Sequence, residues 1–238
     1  MDNFGSNEPI GSSDESGIRD YSDVISRGGL HDALVSIANE VQVDLGDADD
    51  RTGSVSREWN VAKFSSSRGN MRINLGRGRR FAVNLDSGWG HVWASGSTSN
   101  IVEVVEVLAL WRRGARLKEL GNRFPFMKFD RLSQAYEDGN PVETQWDILI
   151  GDDEFITYRN LLLRLHDNSN LRKMFPFFSH WKLRMAKDCY DAQAGEIIIR
   201  PSGSEGYIVW ASSAPMQKIE IHRLDDLIDV ANAMLRGL

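Results

Sequence analysis

The hydrophobic period of this chain switches twice from two to about 3.6, which restricts the fold to sheets that each have an amphipathic helix to cover them. In the first switch, Met71, Ile73 and Leu75 alternate with polar residues, and Phe81, Val83 and Leu85 do the same after a Gly76-Arg77-Gly78 turn. That pattern predicts antiparallel strands with one wet face. A second turn at Gly88-Trp89-Gly90 leads into His91-Val92-Trp93-Ala94-Ser95, after which Ile101, Val104, Val105 and Leu108 return to helical spacing. Asn100 and Glu103 predict a reciprocal cap at the start of that helix, and Gly114 predicts its end.

The carboxy-terminal part repeats this order. Trp181, Leu183 and Met185 alternate, Glu196 to Arg200 is a branched-aliphatic run, and Tyr207 to Ser212 reads as a third strand. A helix through Leu224, Leu227, Ile228, Ala231 and Leu235 follows. Val92-Trp93-Ala94-Ser95 and Val209-Trp210-Ala211-Ser212 match, each expected in the last strand before a helix, which points to an internal duplication. The predicted class is therefore α+β: two related antiparallel sheet-plus-helix units joined by a helical middle section. The expected boundaries are an acidic tail at 1–27, a first helix and unit at 28–126, a helical linker section at 127–178 and a second unit at 179–238.

An earlier helix is predicted over about 30–42 from Leu30, Leu34, Ile37 and Val41. In the middle section Asp130 predicts a cap for a short helix ending near Gly139, and Asn140-Pro141 predicts the start of the next. Arg123-Phe124-Pro125-Phe126 and Met174-Phe175-Pro176-Phe177 both read as helix stops whose Phe residues plug the seam between sheet and helices. Asp152-Asp153-Glu154 lacks the alternating ligands of a calcium loop and reads as an acidic helix start.

Charge is unevenly spread. Residues 1–23 carry Asp2, Glu8, Asp14, Glu15, Asp20 and Asp23 against Arg19 alone, so this segment supplies most of the net charge of -6. Its Gly- and Ser-rich, apolar-poor composition predicts a mobile tail. Between Ala62 and Leu85 lie Lys63, Arg68, Arg72, Arg77, Arg79 and Arg80 with no acid among them, an anion-friendly hairpin region. No run approaches the ~20 apolar residues of a membrane span, and the amino terminus lacks a signal-peptide pattern, so a cytoplasmic location is expected. Cys189 is the single cysteine, which rules out an intramolecular disulfide and a Cys-based zinc cage.

Several scattered runs resemble an actinobacterial family of unknown function commonly labelled a natural product biosynthesis protein. They are Gly29-Leu30-His31-Asp32-Ala33-Leu34, Trp93-Ala94-Ser95-Gly96, the Trp111 to Leu120 run leading to Phe124-Pro125-Phe126, Ala135 to Gly139 with Gln145-Trp146, and Leu171 to Phe177 with Ser179-His180. The resemblance extends over roughly 28–238. It implies a place in secondary metabolism but carries no catalytic residue set, and the chain departs from the family pattern at Asp188-Cys189-Tyr190-Asp191.

The candidate catalytic residues are His180, expected at a strand start, with Asp188 and Cys189 a hairpin away, since a Cys-His couple can generate a thiolate nucleophile. The plainer reading is a structural His and a small buried thiol. The candidate ligand-binding residues are Trp93 and Trp210, as an aromatic wall or as core under their helices, and Arg72, Arg79 and Arg80, as forked anion donors or as a solvated strand face. The five histidines have no metal-ligand spacing, and Gly76-Arg77-Gly78 lacks the following helix and Lys-Ser/Thr ending of a phosphate loop, so neither metal nor cofactor is expected. The functional expectation is an accessory or binding protein that holds a peptide, a small-molecule intermediate or a biosynthetic enzyme. The alternatives are a cofactor-free tailoring enzyme near His180 and Cys189, or an immunity-type protein-binding module. No membrane partner is expected, and nucleic acid is the disfavoured one.

Overall fold

The computed structural model describes residues 20–46, 59–203 and 206–238. The described residues form eight α-helices and two antiparallel sheets, of four and five strands, so the chain is α+β with two sheet units. It divides into two compact units, Met1–Gln134 and Ala135–Leu238. Residues 1–19 of the expected acidic tail lie outside the described residues.

The first unit contains α1 (Ser22–Ser26), α2 (Leu30–Glu40), and a meander of β1 (Val61–Ser66), β2 (Gly69–Gly76), β3 (Arg80–Asp86) and β4 (Val92–Thr98). After it come α3 (Ile101–Arg112), α4 (Leu117–Arg123) and the first half of α5 (Arg131–Asp138). Alternation decides which face is dry. The register sets Phe64 opposite Met71 and Met71 opposite Leu85, with Ile73 opposite Val83 and Leu75 opposite Phe81, and every one of these side chains is at most 1% exposed. The burial of each is worth about 1.5–3 kcal/mol. The buried stripes of α2 and α3, led by Leu34, Val104, Val105 and Leu108, cover that face. On the opposite face the row Lys63, Arg72, Asn84, Ser95 is polar.

The end of the expected tail is structured. α1 lies within it, Tyr21 is fully buried, and the Tyr21 hydroxyl sits 2.7 and 2.9 Å from the carbonyls of Gly76 and Arg80. Arg79 closes a fork on Asp23, both bonds 2.8 Å, and donates to the Asp20 carbonyl at 2.7 Å. The turn of the basic hairpin is thus pinned by the Tyr21 hydroxyl, the Asp20 carbonyl and the Asp23 carboxylate.

The caps of α3 follow the predicted positions with one change. Asn100 accepts from the Val102 N–H at 3.0 Å, but the Glu103 carboxylate takes the Thr98 hydroxyl, and that same oxygen accepts the Asn100 N–H at 3.1 Å. The reciprocal cap closes through Thr98 instead of directly. At the far end Gly114 has φ +86°, its N–H bonds to the Trp111 carbonyl and the Ala115 N–H to that of Leu110, a paired C-terminal lock that the left-handed residue makes possible.

The second unit holds α6 (Pro141–Gly151), a 3₁₀ turn at Asp153–Tyr158, α7 (Arg159–Asp167), a shorter one at Leu171–Lys173, then β5 (Phe175–Ser179), β6 (Lys182–Ala186), β7 (Glu196–Ser202), β8 (Gly206–Ala211), β9 (Ile219–Ile221) and α8 (Leu224–Gly237). The five strands pair in chain order. α6, α7 and α8 share one core with the sheet through Trp146, Leu162, Leu165, Ile197, Val209 and Leu227. Trp146 anchors that core, its indole N–H lying 3.0 Å from the carbonyls of both Arg172 and Met174.

Two expectations are corrected here. Phe175-Pro176-Phe177 is not a helix stop but most of β5, an edge strand, where a residue without an N–H leaves the ladder intact. Pro125 does follow a helix end, since α4 finishes at Arg123. The strand holding Trp210 is not the last before its helix either, because β9 intervenes between β8 and α8.

Candidate functional site

The two Val-Trp-Ala-Ser segments meet different environments, and the cause is one residue of register. In β4 the pairing shifts between Leu85 and Asp86, so Ala94 faces Leu85 and Val92 faces Asp86, with Trp93 bulged between them. A bulge brings two successive side chains to one side of the sheet. Trp93 therefore joins Ala94 on the helix side, 9% exposed and 6.2 Å from the Trp111 ring of α3, while Val92 is exposed. β8 has no such shift. Val209 faces Ile199 in the core and Trp210 faces Ile198 on the side away from α8.

The Trp93 surroundings are already filled. Its indole N–H donates to the Arg68 carbonyl at 3.1 Å. The Arg68 guanidinium lies 4.7 Å from the Trp93 ring and 3.8 Å from the Trp111 ring, and donates to the Ala115 carbonyl. His91 stacks on Trp89 and meets the edge of Trp93. Burial depresses the His91 pKa, against a weaker pull from Asp130. This is a cation sandwiched between aromatic rings as part of the first unit's packing.

Trp210 stands on the outer face of the second sheet. The register aligns Phe177, Arg184, Ile198 and Trp210 in one row across β5 to β8. Trp210 and Phe177 are half-buried and shield Ile198, which is 6% exposed. Lys182 and Lys218 hold their ammonium groups 5.9 and 5.4 Å from the Trp210 ring, and Arg184 lies 5.5 Å from the Phe177 ring while it donates to Glu196. Exposed Arg200 follows in the next row, paired with Ile208. Trp181, at the tip of the β5–β6 hairpin beside Lys182, is 72% exposed. Lys182, Lys218 and Phe177 were not among the sequence candidates. The alternation of β6 and the unbroken Phe-Pro-Phe-Phe run of β5 carry the signal for Phe177 and Lys182, whereas Lys218, in the loop before β9, has none.

The remaining candidates separate. Arg79 is neutralised by Asp23, and its guanidinium holds the Asp23 carboxyl below the usual range. Arg72 and Arg80 share the polar face of the first sheet, bonding Asn74 and Ser97 at 3.3 and 3.4 Å. His180 does not start a strand. It and Trp181, with φ of +51° and +59°, form the two-residue turn between β5 and β6. Cys189 follows the other end of β6, so five strand residues, roughly 17 Å of chain at ~3.3 Å each, lie between them. Cys189 instead receives a hydrogen bond from Tyr136, and burial, reinforced by Asp188, raises its pKa. Surroundings that disfavour the thiolate are the reverse of those that activate a nucleophile. The Asp188 carboxylate is bonded to the Tyr190 N–H at 2.8 Å.

Among the described residues no helix is long and apolar enough to cross a membrane, and no group of three or more His, Cys, Asp and Glu side chains could hold a metal ion. Residues 140–235 match the model of a family of unknown function, DUF6193. No curated protein and no solved structure matches the chain. The family match falls within the second unit and takes in the Trp210 row.

Proposed function

We propose that this chain is a binding protein of natural-product biosynthesis that holds an acidic, aromatic-bearing segment of a precursor peptide on the outer face of its second sheet. The observation that carries the reading is Trp210, turned away from α8 and flanked by Lys182 and Lys218. A half-buried indole between two ammonium groups suits a partner ring on its surface and carboxylates at its edges, while Phe177 and Trp181 extend the apolar track toward the β5–β6 hairpin. Stacking of this kind contributes about 0.5–1.5 kcal/mol beyond burial, and rim charges set the choice of partner more than the affinity. The biosynthetic setting is supported by the family resemblance in the sequence.

Native mass spectrometry on protein purified gently from the cells that make it tests this. A retained peptide is expected in the parent chain and is expected to be lost in Trp210→Ala, with Lys182→Glu plus Lys218→Glu as a second variant that leaves the core untouched. A chain free of bound mass, or a retained peptide indifferent to both variants, overturns the reading.

A further inference from the structure

A second feature of the same unit lies apart from the Trp210 row and rests on none of its contacts. Between the 3₁₀ turn at Leu171–Lys173, the end of β6 and the last turns of α8 there is a cleft of about 340 Å3. Three cations line it, Lys173, Lys187 and Arg236, and no acidic side chain does. They come from three elements more than a dozen residues apart in sequence, so no single helix end accounts for them. Arg236 alone offsets the carbonyl end of α8. Lys173 stands likewise in the last turn of the 3₁₀ segment, Lys187 has no such task, and none of the three forms an ion pair among the described residues. The nearest acid in sequence, Asp188, has its carboxylate engaged by the Tyr190 N–H.

Two carboxamides tie the walls together. Asn170 donates to Asn232 at 3.4 Å across the cleft, and Asn232 donates back to the Ile228 carbonyl at 3.0 Å, which fixes how both amides point. The floor is apolar, with Met174 buried and Leu235 half-buried. Three unpaired cations at a pre-tied rim exceed what one carboxylate can match. A phosphomonoester carries a charge near -2 and three acceptor oxygens, one for each cation. A cleft of this size takes more than the phosphoryl group, since small-molecule sites begin at about 300 Å3.

We infer that this cleft binds a small phosphomonoester, its phosphoryl oxygens on Lys173, Lys187 and Arg236 and its organic part over Met174 and Leu235. The site takes a ligand and does no chemistry on it. The test is amide-shift titration of the full chain with three probes: hexyl phosphate, inorganic phosphate and hexanoate. Hexyl phosphate is expected to saturate the shifts of residues 170–174, 187 and 232–236 at least tenfold more tightly than either other probe. Lys187→Glu and Lys173→Glu, both at exposed positions, are expected to weaken it tenfold or more, and Arg172→Glu, on the same turn but outside the cleft, by less than twofold. Hexanoate binding as tightly as hexyl phosphate overturns the choice of ligand. Equal losses in all three variants, or shifts that never saturate, overturn the site.

Discussion

A tryptophan's neighbours in the chain say little about which side of a sheet it faces, and Trp93 and Trp210 show why. Both follow Val and precede Ala-Ser, yet one packs on Trp111 and the other looks outward. The bulge beside Asp86 arises from how β3 and β4 pair, and no residue type in either segment announces it. Asp23 is a similar case. Composition assigns it to a tail, whereas its carboxylate is clasped by Arg79. That clasp depresses the folded-state pKa, so its stabilisation is present above the unfolded value of about 3.9 and is lost as the pH falls through the lower folded one. Both side chains are partly exposed, which limits the effect to about 1 kcal/mol or less. Urea unfolding is expected to show Asp23→Asn less stable than the parent at pH 7, with the difference shrinking below pH ~4. A difference that persists unchanged into acid contradicts the assignment.

Among the elements, those with a long, clean period were legible: α2, α3, β2, β3, β7 and α8 stand within a few residues of where spacing puts them. Missed were the elements whose identity depends on a neighbour. β5 contains a proline and no alternation, and it is a strand because β6 pairs with it; β9 is three residues long and exists as the partner of β8. The segment after Pro125 also docks on a neighbour: Ser95 and Lys128 exchange backbone hydrogen bonds at 2.9 and 2.7 Å. Gly96 permits that approach, because a Cβ there would come within 2.4 Å of the Phe126 carbonyl oxygen. Gly96→Ala is therefore expected to destabilise the chain by about 1–3 kcal/mol through overpacking against backbone. An unchanged urea midpoint would mean that the 126–128 segment yields freely.

For the molecule as a whole, two sheets with separate buried faces predict two separate sets of protected amides. Strands paired on both sides, β2 and β3 in the first unit and β6 to β8 in the second, are expected to hold the slowest-exchanging amides in hydrogen exchange. Slow exchange confined to one sheet would show that only one of the cores is stable. Local sequence determined the α+β class, the two sheets, the positions where α3 starts and stops and the apolar sides of the main strands, because each of these depends on residues a few positions apart. The chain's folding in three dimensions settled the rest. It assigned α6 and α7 to the second core, turned Trp210 out and Trp93 in, parted His180 from Cys189, and gathered Lys173, Lys187 and Arg236 around one cleft. These depend on strand register and on groups far apart in sequence, and local spacing carries no record of either.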